Sequence, residues 1–302
     1  MKVVSLYRFL DLKGPHSFRD QLKVLCDRQG LLGTMLIAAE GFNGTLAGSE
    51  ESVRSVMTWI REQFGITEEL DARWTDAVDA PFKKMRVKVK QEIVTLGRPD
   101  ILPHKGAGEH VSAARWNELI SDPDVVVIDT RNHYEIEVGT FPGALDPGND
   151  SFREFPDFAK ELAQQSTDRP LAMFCTGGIR CEKATALMLE LGFDEVYHLQ
   201  GGILNYLSEV PDDENKWDGE CFVFDTRVAV DRDLAEGAYV QCHACRRPLS
   251  AEDVESLYYR EGVSCPQCVN EADDDRLARL EERRKQVALA AARGDIHIGP
   301  KT

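Results

Sequence analysis

The chain has 302 residues and a formal net charge of −16, with 42% hydrophobic and 29% charged residues. That length suggests two or three domains, and that balance excludes a wholly disordered or collagen-like polymer. No run approaches roughly 18 apolar residues, and Arg8, Asp11 and Lys13 break the N-terminus into short apolar pieces. The expectation is a cytoplasmic chain with neither a membrane span nor a secretory signal.

Taken alone, the acidity argues against a nucleic-acid partner, because phosphate repels a uniformly acidic surface. The charge, however, is uneven. Residues 1–100 carry 15 Lys+Arg against 14 Asp+Glu, residues 101–215 carry 8 against 21, and residues 216–302 carry 13 against 17. These shifts, with Gly- and Pro-rich linkers expected at 97–108 and 211–215, divide the sequence into 1–100, 101–215 and 216–302.

In the first segment, residues 3–10 are a strand candidate. Residues 15–30 have helical spacing, with Phe18, Leu22 and Leu25 on one stripe. Residues 32–39 read as a buried strand, 40–44 as a turn, and 45–47 as the start of the next strand. Ser49 is placed to cap a helix running to about residue 64, with Glu50 and Glu51 suited to its first turn. Strand follows at 70–75. The order βαββαβ is the split pattern of a ferredoxin-like α+β domain. Beyond it, at 82–90, period-two alternation puts Met85, Val87 and Val89 toward a core and Lys84, Arg86, Lys88 and Lys90 in a row on the other face. Such a row is either a solvated face or a track for RNA phosphates.

In the second segment, Ser112 caps a helix to about residue 120, and a β-branched run at 125–128 ends at Asp129. Residues 152–165 and 180–191 are helical in composition, and strands are expected at 171–174 and 196–199. Alternating strands and helices predict a doubly wound, mostly parallel α/β sheet, whose chemistry lies just beyond the strand C-termini. Cys175 stands there, followed by Thr176, Gly177, Gly178, Ile179 and Arg180 and then a helix. Paired glycines let successive backbone N–H groups turn inward, the helix N-terminus adds positive potential, and Arg180 adds a full charge. Together they lower a thiol pKa and favour the nucleophilic thiolate. Cys181, at the start of the helix, is open to two readings, a relay or resolving thiol and a packed core residue. Cys26 and Cys221 read as core. Gly106 and Gly108 follow no strand and lack the third glycine of a dinucleotide fingerprint, so no flavin or NAD site is evident. His133 and Glu135 have the spacing of two legs of a facial metal triad, but no third leg can be assigned.

In the third segment, Cys242, Cys245, Cys265 and Cys268 form two CxxC pairs with 19 residues between them, the spacing of a structural zinc site. Disulfides are disfavoured in a cytosolic chain, and four thiolates leave no vacancy for His243. Asp273, Asp274 and Asp275 open a helix to about residue 293, with Gly294 placed to end it. Arg283, Arg284 and Lys285 on it are open to RNA contact or to a solvated role.

Residues 110–210 resemble a rhodanese domain. The resemblance rests on Asp129-Thr130-Arg131, Glu135, Gly139 to Ala144, the Cys175 loop and Leu199 to Ile203. Thr140 and Phe141 replace the usual His and Ile. The loop from Cys175 to Arg180 has six residues, as in rhodanese sulfurtransferases, whereas the related Cdc25-type phosphatases have seven. Over its whole length the chain is similar to the bacterial rhodanese-domain tRNA uridine hydroxylases (TrhO family). The segments 131–135, 175–184 and 217–225 carry that likeness, together with the domain ahead of the rhodanese and the Cys-rich region after it.

The resemblance implies oxygen-dependent hydroxylation of C5 of the tRNA wobble uridine to 5-hydroxyuridine, with Cys175 as the essential residue. It implies tRNA and molecular oxygen as partners and no obligate protein partner. Arg180 is expected to assist Cys175, with Asp129, Arg131 and Glu135 in support and Lys183 beside the cysteine. Two alternatives stand beside this reading, a sulfurtransferase carrying a persulfide on Cys175 and a non-catalytic RNA-binding scaffold.

Overall fold

In a computed structural model that describes residues 1–77, 80–225 and 227–294, the chain opens with β1 (Lys2–Phe9), α1 (Pro15–Arg28), β2 (Leu32–Ala38), β3 (Gly41–Gly48), α2 (Glu50–Phe64) and β4 (Ala72–Asp76). The four strands form an antiparallel sheet in the order β4-β1-β3-β2, and β5 (Met85–Val89) extends it parallel to β2. This is the expected ferredoxin-like arrangement with one added edge. Phe18, Leu22 and Cys26 of α1 and Val53, Val56 and Ile60 of α2 pack on Val4, Leu6, Met35, Ile37 and Leu46 of the sheet. Ser49 caps α2 by accepting from the Ser52 N–H at 3.1 Å.

The turn expected at 40–44 is a correction. Only Ala39 and Glu40 turn, and β3 begins at Gly41. Gly41 and Gly44 reflect strand crowding instead. A Cβ on Gly41 would lie 2.0 Å from the Arg8 carbonyl oxygen, and one on Gly44 would lie 2.2 Å from that of Thr34. On β5, Met85 is buried and Val87 half-buried, while Lys84, Arg86, Lys88 and Lys90 are all exposed.

The middle of the chain runs β6 (Glu109–Val111), α3 (Ala113–Leu119), β7 (Val126–Asp129), α4 (His133–Ile136), β8 (Gly139–Thr140), α5 (Phe155–Gln165), β9 (Leu171–Phe174), α6 (Ile179–Glu190), β10 (Val196–Leu199) and α7 (Gly202–Glu209). Strands β6-β10-β9-β7 form a wholly parallel sheet. Its two faces bury separate cores, as side-chain alternation requires. Ala172 and Phe174 of β9 pack with Trp116 of α3 and Tyr206 of α7 on one face. Leu171, Met173 and the following Cys175 pack with Phe155 of α5 and Leu187 of α6 on the other.

The first stretch read as a linker is tied into this layer, whereas residues 211–214 are exposed. Leu96 and Ile101 are buried in the core with Ile128 and Leu187, and Pro103–Lys105 forms a short 3₁₀ turn. Beyond residue 215, Trp217, Cys221, Val223 and Val230 join the opposite core. The chain ends with β11 (Asp218–Gly219), β12 (Cys221–Phe222), β13 (Ala229–Val230), β14 (Val240–Gln241), β15 (Pro248–Leu249), α8 (Ala251–Glu255) and α9 (Asp274–Ala292). β11 pairs with β8, β12 with β13, and β14 with β15. Asp273 caps α9, no residue of which is buried, and Arg283, Arg284 and Lys285 on it are exposed.

Candidate active site

Strand β9 delivers Cys175 to the C-terminal edge of the parallel sheet, and α6 carries the chain away. The carbonyls of Cys175 and Thr176 are taken by the N–H groups of Ile203 and Leu204 at 2.9 and 3.1 Å. The loop N–H groups are thereby left facing inward. The Gly178 N–H donates to the Cys175 Sγ at 3.1 Å. The loop closes this tightly because Gly202 lies against it. A Cβ there would meet the Cys175 carbonyl oxygen at 2.4 Å and the nitrogens of Gly177 and Gly178 at 2.8 Å. Gly178 itself has φ of 92°, a backbone conformation that favours glycine.

Cys175 is 1% exposed. Burial alone raises a thiol pKa, but here it is outweighed, and the value falls to about 6. Cys181 beside it, the positive charge of Arg180 and the backbone N–H groups of Cys181 and Arg180 together favour the thiolate. Cys181 moves the other way, well above the usual thiol value, because it is buried and holds its proton toward Cys175. Thr130 lies 3.5 Å from the Cys181 sulfur. Thiolate and donor thus sit side by side.

Beneath the loop lie two buried ion pairs. Arg180 makes a two-point pair with Glu135, at 2.7 and 2.8 Å, and reaches Thr176 Oγ1 at 3.3 Å. Arg131 pairs with Asp129 at 2.6 Å and donates to the Glu135 carbonyl. Thr140, standing where the rhodanese pattern has His, donates to Asp129 at 2.9 Å. Each buried charge therefore has a partner, as burial demands. The Arg180 guanidinium, expected to add positive charge at the loop, is held in place by Glu135 and Thr176.

Lys183 is also displaced from its expected place beside the cysteine. It is 0% exposed and is clamped between Glu40 at 2.9 Å and Glu92 at 2.5 Å. Its position on α6 faces the N-terminal domain rather than the mouth of the loop. His133 and Glu135 do not converge on a metal, since His133 bonds Asp146 at 2.6 Å while Glu135 holds Arg180.

Two aromatic residues at the loop were assigned no role from the sequence. Tyr7, from β1, places its hydroxyl 2.9 Å from where a Cβ on Gly178 would stand. It donates to Glu182 at 3.5 Å, and burial keeps it protonated. Phe224 is 70% exposed, with its ring 5.9 Å from the Arg180 guanidinium carbon. Gly177 is the exposed point of the loop. The mouth is therefore framed by a domain ahead of the parallel sheet and by a segment after it.

The basic row on β5 lies on an exposed face of the N-terminal domain and makes no part of this loop. In the last segment, Cys242, Cys245, Cys265 and Cys268 bring their sulfurs within 4.8 Å of one another. The Cys245–Cys265 and Cys265–Cys268 separations are 3.8 and 3.6 Å. Tetrahedral zinc with bonds of about 2.3 Å requires sulfurs about 3.8 Å apart, so the set fits such an ion. All eight cysteines are free thiols.

Residues 1–93 match the UPF0176 acylphosphatase-like domain and residues 112–209 the rhodanese-like domain. A protein of Teredinibacter turnerae named tRNA uridine(34) hydroxylase is 48% identical over 299 residues, covering 99% of this chain and 93% of its own. One of the same name from Agrobacterium fabrum is 50% identical, over 98% of this chain and 94% of its own. No described helix is long and apolar enough to cross a membrane. With likeness of this degree running through the ferredoxin-like sheet, the cysteine loop and the four-cysteine module alike, the chain belongs to the tRNA uridine(34) hydroxylase family.

Proposed function

We propose that this chain hydroxylates C5 of the tRNA wobble uridine to 5-hydroxyuridine, with molecular oxygen as co-substrate and Cys175 as the catalytic residue. The observation that carries this reading is a Cys175 sulfur cradled by the loop, accepting from the Gly178 N–H, within a chain that matches named tRNA uridine(34) hydroxylases almost end to end. C6 of uridine is electrophilic through conjugation with the C4 carbonyl. Addition of the Cys175 thiolate forms the S–C6 bond and moves the π pair onto C5 and O4 as an enolate. The electron-rich C5 then reacts with oxygen. Overall, one oxygen atom enters C5 and the other leaves as water. That consumes two electrons and two protons, supplied by an external two-electron donor of the thiol class. Loss of the C5 proton expels Cys175 as thiolate and restores the ring.

The other residues take supporting places. The N–H groups of Thr176 to Arg180 hold developing negative charge at the loop. Arg180, Glu135, Asp129 and Arg131 keep the loop in shape. Cys181 donates to the thiolate. Phe224 offers a face on which an unstacked base rests, as single-stranded RNA bases do on exposed aromatic rings. Lys84, Arg86, Lys88 and Lys90 track phosphates, and zinc in the four-cysteine site folds its module without chemistry of its own.

The test uses purified protein, unmodified tRNA and a thiol reductant under ¹⁸O₂. Labelled 5-hydroxyuridine is expected from the wild type and none from Cys175→Ala. Unlabelled product, or product from Cys175→Ala, would overturn the assignment. Cyanide-dependent sulfur transfer without hydroxylation would favour the persulfide alternative.

A further inference from the structure

We infer that His110, Glu182 and His198 form a second metal site, one that takes a single divalent transition-metal ion through two imidazoles and a carboxylate. The backbone brings them together. His110 and His198 are register partners on the parallel strands β6 and β10, so their side chains leave the same face of the sheet as neighbours. Glu182 projects from the first turn of α6 onto that face. One donor atom from each residue lies within 4.8 Å of the others. The His110 Nε2 is 2.9 Å from the Glu182 Oε1, and the two imidazole rings are 4.0 Å apart.

The second, independent observation is His198 itself. It is 1% exposed, and neither ring nitrogen meets a partner at hydrogen-bond geometry, while the Gly108 backbone lies near enough to favour its charged form. A buried polar group left without a partner is costly, and in a native interior it calls for a ligand, a water or an ion. Here the orphaned imidazole faces another imidazole and a carboxylate, which is a donor set for a metal rather than for a lone water. Imidazole suits iron, cobalt, nickel and zinc, whereas magnesium and calcium prefer oxygen alone. Three protein ligands leave coordination positions open. The His110 side chain is 48% exposed, which gives an ion a route in, while His198 closes the back of the site. Tyr7 spans the gap between this trio and the Cys175 loop through its bond to Glu182. Metal binding at this trio stands apart from the reaction assigned to Cys175.

The experiment uses the full chain, reduced, incubated with excess Co(II) without oxygen and then desalted. Total transition metal per chain is counted by mass spectrometry for the wild type, His110→Ala and His198→Ala. The expected result is one equivalent fewer in each variant than in the wild type. The equivalent they lack should show cobalt d–d absorption without thiolate charge transfer, because no cysteine is among its ligands. Because His110 is half exposed, its substitution spares the core and decides the matter even if His198→Ala fails to fold. Equal metal content in wild type and His110→Ala would overturn the site and leave a hydrogen-bonded His110–Glu182 pair beside a buried imidazole. So would thiolate charge-transfer bands on the extra equivalent, which would move it to a cysteine.

Discussion

Burial alone would push the Cys175 thiol up, and its loop surroundings instead bring it down to about 6. Ionisation removes a proton, so Cys175 is thiolate above that pH and thiol below it. Ultraviolet thiolate absorbance, taken as the difference between wild type and Cys175→Ser, should therefore rise with a midpoint near 6. Cys181→Ala removes one donor and should move the midpoint upward, while Cys181→Ser keeps a donor and should largely restore it. An unchanged midpoint in Cys181→Ala would show that the pairing of the two sulfurs contributes nothing. At the mouth, Phe224→Ala should weaken binding of an anticodon stem-loop by about 1–3 kcal/mol, the range for base–aromatic stacking. Fluorescence titration should find no such loss when the wobble nucleotide is abasic. The residues of the loop were legible because they are consecutive, and Asp129, Arg131 and Glu135 because they lie in one short motif. Tyr7 was not. Alternation along a strand tells which face a side chain takes, but not which distant loop will be laid against it.

Elements behave in the same way. Apolar spacing was enough to read βαββαβ and the parallel sheet, since each pattern is local and repeats. It failed at Gly41 and Gly44, where glycine answers to neighbouring backbone rather than to a turn. It also left the neighbour of β5 open, because the alternation of 82–90 carries no record of β2. The exposure of Lys84, Arg86, Lys88 and Lys90 is compatible with both readings of the row. Reversing Lys84, Arg86 and Lys88 to Glu should lower tRNA affinity. It should also flatten the salt dependence, by about one unit of slope for each phosphate that the row no longer neutralises. Filter binding across a salt series measures both, and an unchanged slope would leave the row as a solvated face. The four-cysteine module has a small core, in which the cysteines pack chiefly with Leu249. Chelation of its metal should release hydrogen-exchange protection over 240–271 while the parallel sheet stays protected. Retained protection there would mean that the module folds without an ion.

At the scale of the whole molecule, the net charge of −16 hides an arrangement in which the acid is concentrated on the middle segment and the exposed basic row lies ahead of it. The contact between the first two domains also depends on charge, with Lys183 enclosed by Glu40 and Glu92. Lys183→Ala would leave two carboxylates facing each other out of water. It should cost about 3–5 kcal/mol, as the breaking of a buried pair does. Urea denaturation measures this, and the triple variant Glu40→Gln, Glu92→Gln, Lys183→Met should recover most of the loss. Nothing in the linear order of charges announces this cluster, because its members are 143 and 91 residues apart from the lysine.

That cluster bears on modularity. The family matches divide the chain near residue 93 into two named domains, as though either might be exchanged for another. Yet a rhodanese excised at that point would keep a lysine with no carboxylate from Glu40 or Glu92 to meet it, and would lose the Tyr7 hydroxyl from its loop. A foreign RNA-binding platform grafted in front of Cys175 would have to bring its own carboxylate to the same helix. In this chain, the boundary drawn by sequence likeness is not a seam along which the protein can be taken apart.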